Sequence, residues 1–200
     1  MKEIKRCAWV PAGNTLYEKY HDEEWGRPVH DDKTIFEFLI LESAQAGLSW
    51  AIILNKRENY RRGFANFDSK KVAKFGAREI AKLMKGDPKD PTKNIVRNRA
   101  KIEAAISNAR IFLEIQREFG TFGTYMWSFV GDKPLTSKKS IKKLSNYPKF
   151  TPEAEAFAAD LKRRGFRFFG PIVAYAHMQA VGMVDDHMEG CFLQKKNGSR

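Results

Sequence analysis

The sequence predicts a single all-α domain, and three observations support this prediction. Of the 200 residues, 42% are hydrophobic and 12% aromatic, enough to bury one core, so disordered and fibrous chains are excluded. Apolar residues recur with a helical period along nearly the whole chain, and no alternating strand pattern persists. We find no internal repeat, so residues 1–200 are treated as one domain.

Four helices are predicted in the first half of the chain. Asp31 or Asp32 can cap the first helix, which should end at Gly47 because glycine readily adopts a left-handed cap. Ser49 can start the second helix, which runs toward Tyr60. The four predicted ranges are 31–47, 49–60, 68–75 and 78–84.

The second half contains longer helices separated by loops. A turn-rich stretch with two prolines, residues 85–92, interrupts the helical pattern. A short aromatic segment covers residues 125–130, and residues 133–152 form a basic, loop-rich stretch with six lysines and no acid. His177 is expected to be a packing residue. The predicted helices are 98–119, 152–164 and 171–181.

The charge of the chain indicates a polyanionic partner. The 36 Lys and Arg exceed the 24 Asp and Glu to give a formal charge of +12, which makes nucleic acid a plausible partner among polyanions. Residues 1–50 carry 6 bases and 9 acids, so residues 51–200 hold a net +15. The acidic N-terminal quarter indicates a task there other than phosphate binding, or a chance clustering of acids.

The N-terminal residues and the cysteine count indicate the cellular compartment in which the protein is expected. Residues 1–6 are charged and no apolar segment follows them, so a secretory signal is not expected. The longest apolar stretch, residues 38–54, is too short and too polar for a membrane span, which needs about 20 mainly apolar residues. Two cysteines exclude a disulfide scaffold. We expect a soluble, cytoplasmic protein with reduced thiols.

Two cysteines and two histidines lie near the ends of the chain. Cys7 precedes His21 by fourteen residues, and His187 precedes Cys191 by four, a spacing that would place both on one side of a helical turn. Two thiolates and two imidazoles are a donor set that structural Zn²⁺ prefers. The alternative is two buried cysteines and two hydrogen-bonded histidines. A catalytic Cys–His pair is less favoured, since no nucleophile motif surrounds either cysteine.

One acidic residue lies within an otherwise apolar helix. Glu42 should share a helix face with Leu39 and Ala46, and buried carboxylates cluster at functional sites. The alternative is that Glu42 points to solvent. Several flat rings that could hold a planar, cationic base occur in the same quarter, although such rings also form ordinary cores. These rings are Trp9, Tyr17, Tyr20, Trp25 and Trp50.

Nine short motifs follow one another in order along the chain. They are CAWV at 7–10, YHDEEWG at 20–26, LESAQAGLSW at 41–50, KRENY at 56–60, NIVRNRAKI at 94–102, WSFV at 127–130, RGFRF at 164–168, MQAVG at 178–182 and DHMEGC at 186–191. Together they resemble the DNA-3-methyladenine glycosylase I family of the helix-hairpin-helix glycosylase superfamily. The resemblance covers residues 7–192 and leaves residues 193–200 as a basic tail.

The resemblance implies a helix-hairpin-helix glycosylase fold in which a zinc clasp joins the N- and C-terminal segments. One structural Zn²⁺ would be held by Cys7, His21, His187 and Cys191. The family's base-binding glutamate matches Glu42, which would be the catalytic residue. The pocket rings match Tyr20 and Trp50, with Tyr17, Trp9 and Trp25 nearby. The tip that enters the gap in the duplex matches Gly47 and Leu48.

The resemblance assigns DNA binding to the hairpin between two helices and to the residues that flank it. Candidate phosphate contacts, each with a solvated surface role as its alternative, are Arg97, Asn98, Arg99 and Lys101. The family usually has a glycine where this chain has Asn94, after an extended loop. Asn tolerates the left-handed conformation better than most residues, so Asn94 is compatible with a turn there.

These assignments predict a DNA repair enzyme. It would flip 3-methyladenine out of alkylated double-stranded DNA and hydrolyse its N-glycosidic bond, releasing free base and leaving an abasic site. No lysine Schiff base is invoked, so no strand cleavage is expected. A monomer associated with the nucleoid is the default expectation. The alternative is an inactive DNA-binding module of the same fold, and an RNA-binding protein has only the charge in its favour.

Overall fold

The computed structural model describes residues 4–136 and 140–194, and this part of the chain is mostly helical, as predicted. Most of the predicted basic tail and three residues of the basic 133–152 stretch lie outside the described residues. The helices are α1 Thr15–Glu23, α2 Asp32–Gln45, α3 Trp50–Asn55, α4 Arg57–Gly63, α5 Ser69–Val72, α6 Ala77–Lys85, α7 Arg99–Phe119, α8 Phe122–Ser128, α9 Pro152–Arg163 and α10 Pro171–Ala180. None of these described helices is long and apolar enough to cross a membrane.

Helix α2 is the centre of the core. Its N-cap Asp31 accepts a hydrogen bond from the Thr34 amide at 2.9 Å, as the sequence predicts. Residues 35–44 are all buried, and α2 contacts α3, α4, α7, α8 and α10. Asp32 does not cap α2. Its carboxylate accepts the backbone amides of Phe122 and Gly123, each at 2.8 Å, and so fixes the start of α8 against α2.

The remaining helices surround α2. Helix α7 packs against α2, α5, α6 and α8, and its predicted cap Asn98 accepts the Lys101 amide at 3.1 Å. Gly120, with a φ of +84°, ends α7 as expected. Helices α9 and α10 pack on each other, and α10 also contacts α2. The core is therefore built from helix faces that meet around one buried helix.

Three parts of the fold differ from the sequence predictions. Helix α1 was not predicted, because few of its residues are apolar. The single helix expected over residues 49–60 is two helices, which meet at Lys56, and the break turns Arg57 toward Glu24 and Glu37. One pair of two-residue parallel strands, β1 Leu135–Thr136 and β2 Val184–Asp185, joins the basic stretch to the C-terminal segment.

The loop between α6 and α7 is closed by side-chain hydrogen bonds of Asn94. Asn94 is extended, with φ −92° and ψ 147°, so it does not use the left-handed conformation that asparagine tolerates. The positive φ belongs to Gly86, at +63°. The Asn94 side chain accepts the Asp87 amide at 2.5 Å and donates to the Asp87 carbonyl at 3.1 Å. Asn94 thus bonds the end of the extended loop back to its start.

His177 lies deep in the core, as a packing residue would. Its ring is fully buried and contacts the rings of Phe157 and Phe169, at centroid distances of 6.4 and 5.6 Å. Nε2 lies 3.4 Å from the sulfur of Met126, and Nδ1 has no hydrogen-bond partner. Burial lowers the pKa of His177 to about 3, so the neutral ring is the form that the core accepts.

We predict that His177 makes the protein acid-labile. Its folded pKa of about 3 lies below the ordinary histidine value of 6.5, so the unfolded chain binds more protons and stability falls as pH drops below about 6.5. His177→Phe should remove this loss, worth about 2 kcal/mol between pH 7 and 5. Urea unfolding of both proteins at each pH measures the difference. The exposed His30, changed to Gln, is the control, and equal pH slopes for wild type and His177→Phe would contradict the prediction.

Candidate functional site

Helix α1 carries three of the predicted site residues. Its N-cap Asn14 accepts the Tyr17 amide at 3.1 Å. Tyr17, Tyr20 and His21 are buried at the i, i+3, i+4 spacing that places side chains on one helix face. That spacing after a capping asparagine is the sequence signal by which α1 could have been found. The two tyrosines face a group of rings, whereas His21 reaches the cysteines.

The base-pocket candidates Tyr20 and Trp50 lie next to each other. Their ring centroids are 5.2 Å apart with an interplanar angle of 44°. Tyr20 is also 6.3 Å from the ring of Phe38, which comes from α2, while Trp50 is the first residue of α3. The indole Nε1 of Trp50 is buried and has no hydrogen-bond partner. Three helices therefore meet at these rings with one donor left unused.

Glu42 is buried beside these rings without a donor. Its side chain lies in α2, the residue is 4% exposed, and none of the described residues donates a hydrogen bond to it. Burial raises the pKa of Glu42 to about 8. The pKa of Tyr20 is also raised, first by burial and then by the Glu42 carboxylate. Glu42 lies four residues after Phe38 and so shares its face of α2, and the Phe38 ring packs against Tyr20. An unsatisfied carboxylate near packed aromatic rings is a feature of ligand sites rather than of cores.

The other rings predicted for the pocket lie progressively farther from it. Trp9 is 6.4 Å from Tyr20 and 6.2 Å from Tyr17, measured between ring centroids. Trp9 also contacts Trp25 at 4.9 Å, and Trp25 packs on the ring of His187 at 4.8 Å. Trp9 thus bridges the pocket rings and the histidines, while Trp25 lies on the histidine side.

The predicted tip follows α2 directly. Gly47 has a φ of +78°, and the Leu48 amide donates to the Gln45 carbonyl at 2.6 Å. Leu48 is 37% exposed. The turn therefore presents an apolar side chain to solvent between the helix of Glu42 and the helix of Trp50.

The two ends of the chain meet at a buried Cys–His cluster. The side-chain ligand atoms of Cys7, His21 and Cys191 all lie within 4.8 Å of one another. His187 stands beside this group, its ring centroid 5.4 Å from that of His21, and its buried Nε2 has no hydrogen-bond partner. The Cys7 thiol, by hydrogen bonding, lowers the pKa of Cys191 to about 4, so the cluster favours a thiolate. Three predicted ligands are thus gathered and the fourth adjoins them.

His187 and Cys191 do not lie on a helical turn, as their spacing suggested. No helix covers the described residues 186–194. The chain instead makes a tight turn in which the Cys191 amide donates to the Met188 carbonyl at 2.9 Å. The Met188 amide in turn points at the Cys7 sulfur, 3.2 Å away. The pairing of β1 with β2 immediately upstream holds this turn in place.

Two carboxylates orient the histidines, and the sequence analysis missed both. Asp22 lies 2.8 Å from Nδ1 of His21, and Asp185 lies 2.8 Å from Nδ1 of His187. With Nδ1–H donated to a carboxylate, each Nε2 carries the lone pair that can bind a metal, the arrangement typical of metal-binding histidines. An aspartate directly after His21 and another two residues before His187 were the available signal. Gly26 allows the close approach, since a Cβ there would lie 2.6 Å from the His187 ring.

The four predicted DNA contacts fall into two groups. Arg97, Asn98 and Arg99 are exposed at the start of α7. Arg97 donates to the Lys85 carbonyl at 3.1 Å, and Arg99 lies 3.5 Å from the Glu103 carboxylate. Lys101 instead turns inward and donates to backbone carbonyls of the α2 C-terminus. The structure therefore leaves three of the four side chains open to a phosphate backbone.

An ionic network of Arg57, Glu24 and Glu37 packs against Phe38, and the sequence analysis missed this network too. Arg57 donates to Glu37 at 2.7 Å and to Glu24 at 2.8 Å, and its guanidinium lies 5.3 Å from the centre of the Phe38 ring. These contacts join the end of α1 to α2 and α4. Glu24 and Glu37 therefore neutralise the Arg57 cation that lies against Phe38.

Comparisons with known proteins agree with this architecture. The family model for methyladenine glycosylase matches residues 9–194. The chain is 41% identical over 186 residues to a DNA-3-methyladenine glycosylase of Haemophilus influenzae, covering 93% of this chain and 96% of the relative. It is 42% identical over 188 residues to DNA-3-methyladenine glycosylase 1 of Escherichia coli, covering 94% and 96%.

The fold agrees with a solved structure as well. A variant of 3-methyladenine DNA glycosylase I in complex with 3-methyladenine superposes with a TM-score of 0.86 at 35% identity, covering 96% of this chain and 98% of the other. Family model, sequence identity and fold agree over nearly the whole length. The chain belongs to the methyladenine glycosylase family.

Proposed function

We propose that the protein removes 3-methyladenine from alkylated double-stranded DNA. It would flip the damaged nucleotide into the site and hydrolyse the N-glycosidic bond, releasing free base and leaving an abasic site. The observation that carries this proposal is the Glu42 side chain, buried without a donor on the face of α2 that packs against Tyr20. The names of the relatives and the bound base in the similar structure support the choice of substrate.

The chemistry of the substrate fits this pocket. Adenine methylated at N3 within DNA is cationic, so its glycosidic bond is already weak and the leaving group needs no strong acid. The faces of Tyr20 and Trp50 are π surfaces on which the cation can stack. The Glu42 carboxylate can accept hydrogen bonds from the base and stabilise positive charge as it shifts toward the sugar. Water then completes the hydrolysis, so Glu42 is the catalytic residue that we assign.

The DNA is gripped around the site. Leu48, which is exposed next to Gly47, would enter the gap that the flipped base leaves. Helix α6, the following loop and the start of α7 would act as the helix-hairpin-helix element, with Arg97, Asn98 and Arg99 reaching phosphates. A Schiff-base route needs a free amine at the sugar. Lys101, which approaches α2, is bonded to carbonyls, so we expect no strand cleavage.

We further propose that the Cys–His cluster holds one structural Zn²⁺. Its ligands would be Cys7, His21, His187 and Cys191, a two-sulfur, two-nitrogen set that suits zinc. The support is the unpartnered, buried Nε2 of His187 and the carboxylate at Nδ1 of each histidine. The ion would stabilise the fold by joining two distant chain segments and would take no part in the reaction.

Release of base from methylated DNA tests the activity directly. Wild-type protein should release free 3-methyladenine, detected by chromatography, and strands should break only after alkali treatment. Glu42→Gln should lower the release rate by about 10²- to 10³-fold, because it removes the charge that stabilises the transition state. Glu155→Gln, at an exposed glutamate of α9, is the matched control. DNA binding without base release by the wild type would favour an inactive DNA-binding module instead.

The pH profile of base excision tests the ionisation of Glu42. Burial raises the pKa of Glu42 to about 8, so the active carboxylate forms in the free protein only as pH rises toward that value. We expect kcat/KM to rise with pH, to be half-maximal near pH 8 and to level off above about pH 9, whereas kcat should level off at lower pH because the bound cation favours the carboxylate. The residual activity of Glu42→Gln should lack this rise. A wild-type kcat/KM that is flat from pH 6 to 9 would exclude the assignment.

Metal analysis tests the clasp. The wild type should contain one equivalent of zinc, and Cys191→Ser should lose most of it and melt at a lower temperature, since structural zinc contributes several kcal/mol or more. His187→Gln should also lose metal, whereas His30→Gln, at an exposed histidine outside the cluster, should not. A full equivalent of zinc retained by Cys191→Ser would show that the ion binds elsewhere.

A further inference from the structure

The C-terminus of α2 receives its hydrogen bonds from another helix. The last carbonyls of any helix lack partners within it, and α2 has no basic residue in its own last turn. The ammonium group of Lys101, from α7, donates to the Ala44 carbonyl at 2.8 Å and to the Ala46 carbonyl at 2.5 Å. A cation at this position also complements the negative end of the helix dipole.

The position of Lys101 separates it from the neighbouring candidates for phosphate contact. Arg97, Asn98 and Arg99 are exposed, whereas Lys101 is partly buried and lines a small cavity together with Ile40 and Tyr60. Burial lowers the pKa of Lys101, which reflects a group withdrawn from water. Two of its three N–H donors are already used by the α2 carbonyls. The Lys101 ammonium group is therefore bonded within the protein rather than free to contact a DNA phosphate.

The carbonyls that Lys101 binds belong to the turn that carries the tip. Gly47 is in the left-handed region, the Leu48 amide donates to the Gln45 carbonyl, and the Ser49 carbonyl accepts the Ile52 amide at the start of α3. Ser49 makes no side-chain cap for α3. The turn thus has few attachments of its own, yet it sets the separation between Glu42 on α2 and Trp50 on α3.

We propose that Lys101 is a positioning residue, which anchors the 46–49 turn so that Leu48 and Trp50 stand correctly relative to Glu42. This inference rests on the proposed function for the meaning of those three residues. Through Lys101, the start of α7, where phosphates would be gripped, is bonded directly to the turn that enters the DNA gap. Lys101 does not touch the base or the phosphates.

A phosphate contact and an anchor have different experimental signatures. A lysine that neutralises a phosphate contributes to the salt dependence of DNA binding, so its loss lowers the slope of log K against log salt by about 1. An anchor leaves that slope unchanged. Its loss instead slows the chemical step, because a misplacement of about 1 Å in a site can cost roughly 10²-fold in rate.

The experiment compares Lys101→Met, which keeps the stem and removes the cation, with Arg99→Met as the phosphate-contact variant. For each protein we would measure binding to undamaged duplex DNA over a range of salt, and single-turnover release of 3-methyladenine at saturating methylated DNA. Amide hydrogen exchange of residues 45–50 would be followed in the absence of DNA. Lys101→Met should keep the wild-type salt slope, lose 10- to 100-fold in release rate and exchange faster at this turn. Arg99→Met should lower the slope and leave the exchange unchanged.

A second variant keeps the test valid if Lys101→Met fails to fold. Lys101→Arg retains the charge but cannot place the same single nitrogen between two carbonyls, so release should fall while the salt slope stays at the wild-type value. A lower slope in Lys101→Met with wild-type release at saturation would overturn the proposal, as would unchanged exchange at residues 45–50. If the wild type itself released no 3-methyladenine, the proposed function would fail, and exchange alone would still decide whether Lys101 anchors the turn.

Discussion

A carboxylate without a donor, held inside the central helix, is the constraint around which this molecule is organised. Raising the pKa of Glu42 from 4.5 to about 8 means that its ionised form costs about 5 kcal/mol in the folded protein. That is comparable to the whole stability of many domains. The apolar residues on both sides of Glu42 in α2 are buried completely and offset the cost. A cationic ligand would replace the missing partner, so the unfavourable burial is also the basis of selectivity.

Helix α2 can hold Glu42 in place because both of its ends are tied to other helices. At the N-terminus, Asp31 caps the helix itself and Asp32 binds the first amides of α8. At the C-terminus, Lys101 of α7 binds the last carbonyls. These are hydrogen bonds to charged groups, which are stronger than those between neutral groups. A rigid α2 fixes the carboxylate, and a fixed carboxylate needs no reorganisation when charge develops on the substrate.

A chain of aromatic ring contacts joins the Cys–His cluster to the base pocket. Trp9 contacts Tyr20 on one side and Trp25 on the other, and Trp25 packs on His187. Helix α1 makes the same connection along the chain, since it carries both Tyr20 and His21. Closing the two ends of the chain at the cluster therefore also supports the wall of rings against which a flipped base would stack. The stability of the termini and the geometry of the pocket are coupled for this reason.

Local patterns in the sequence determined most of the helices, the position of Glu42 in an apolar helix and the types of side chain at the site. They could do so because caps, glycine stops and helical periodicity depend on neighbours a few residues away. The tertiary structure alone decided the break at Lys56, the extended conformation of Asn94, the inward direction of Lys101 and the turn that brings Cys191 to Cys7. The break at Lys56, the direction of Lys101 and the position of Cys191 accompany contacts between residues far apart along the chain, and Asn94 bonds Asp87 across its own loop, so no short-range pattern encodes these partners.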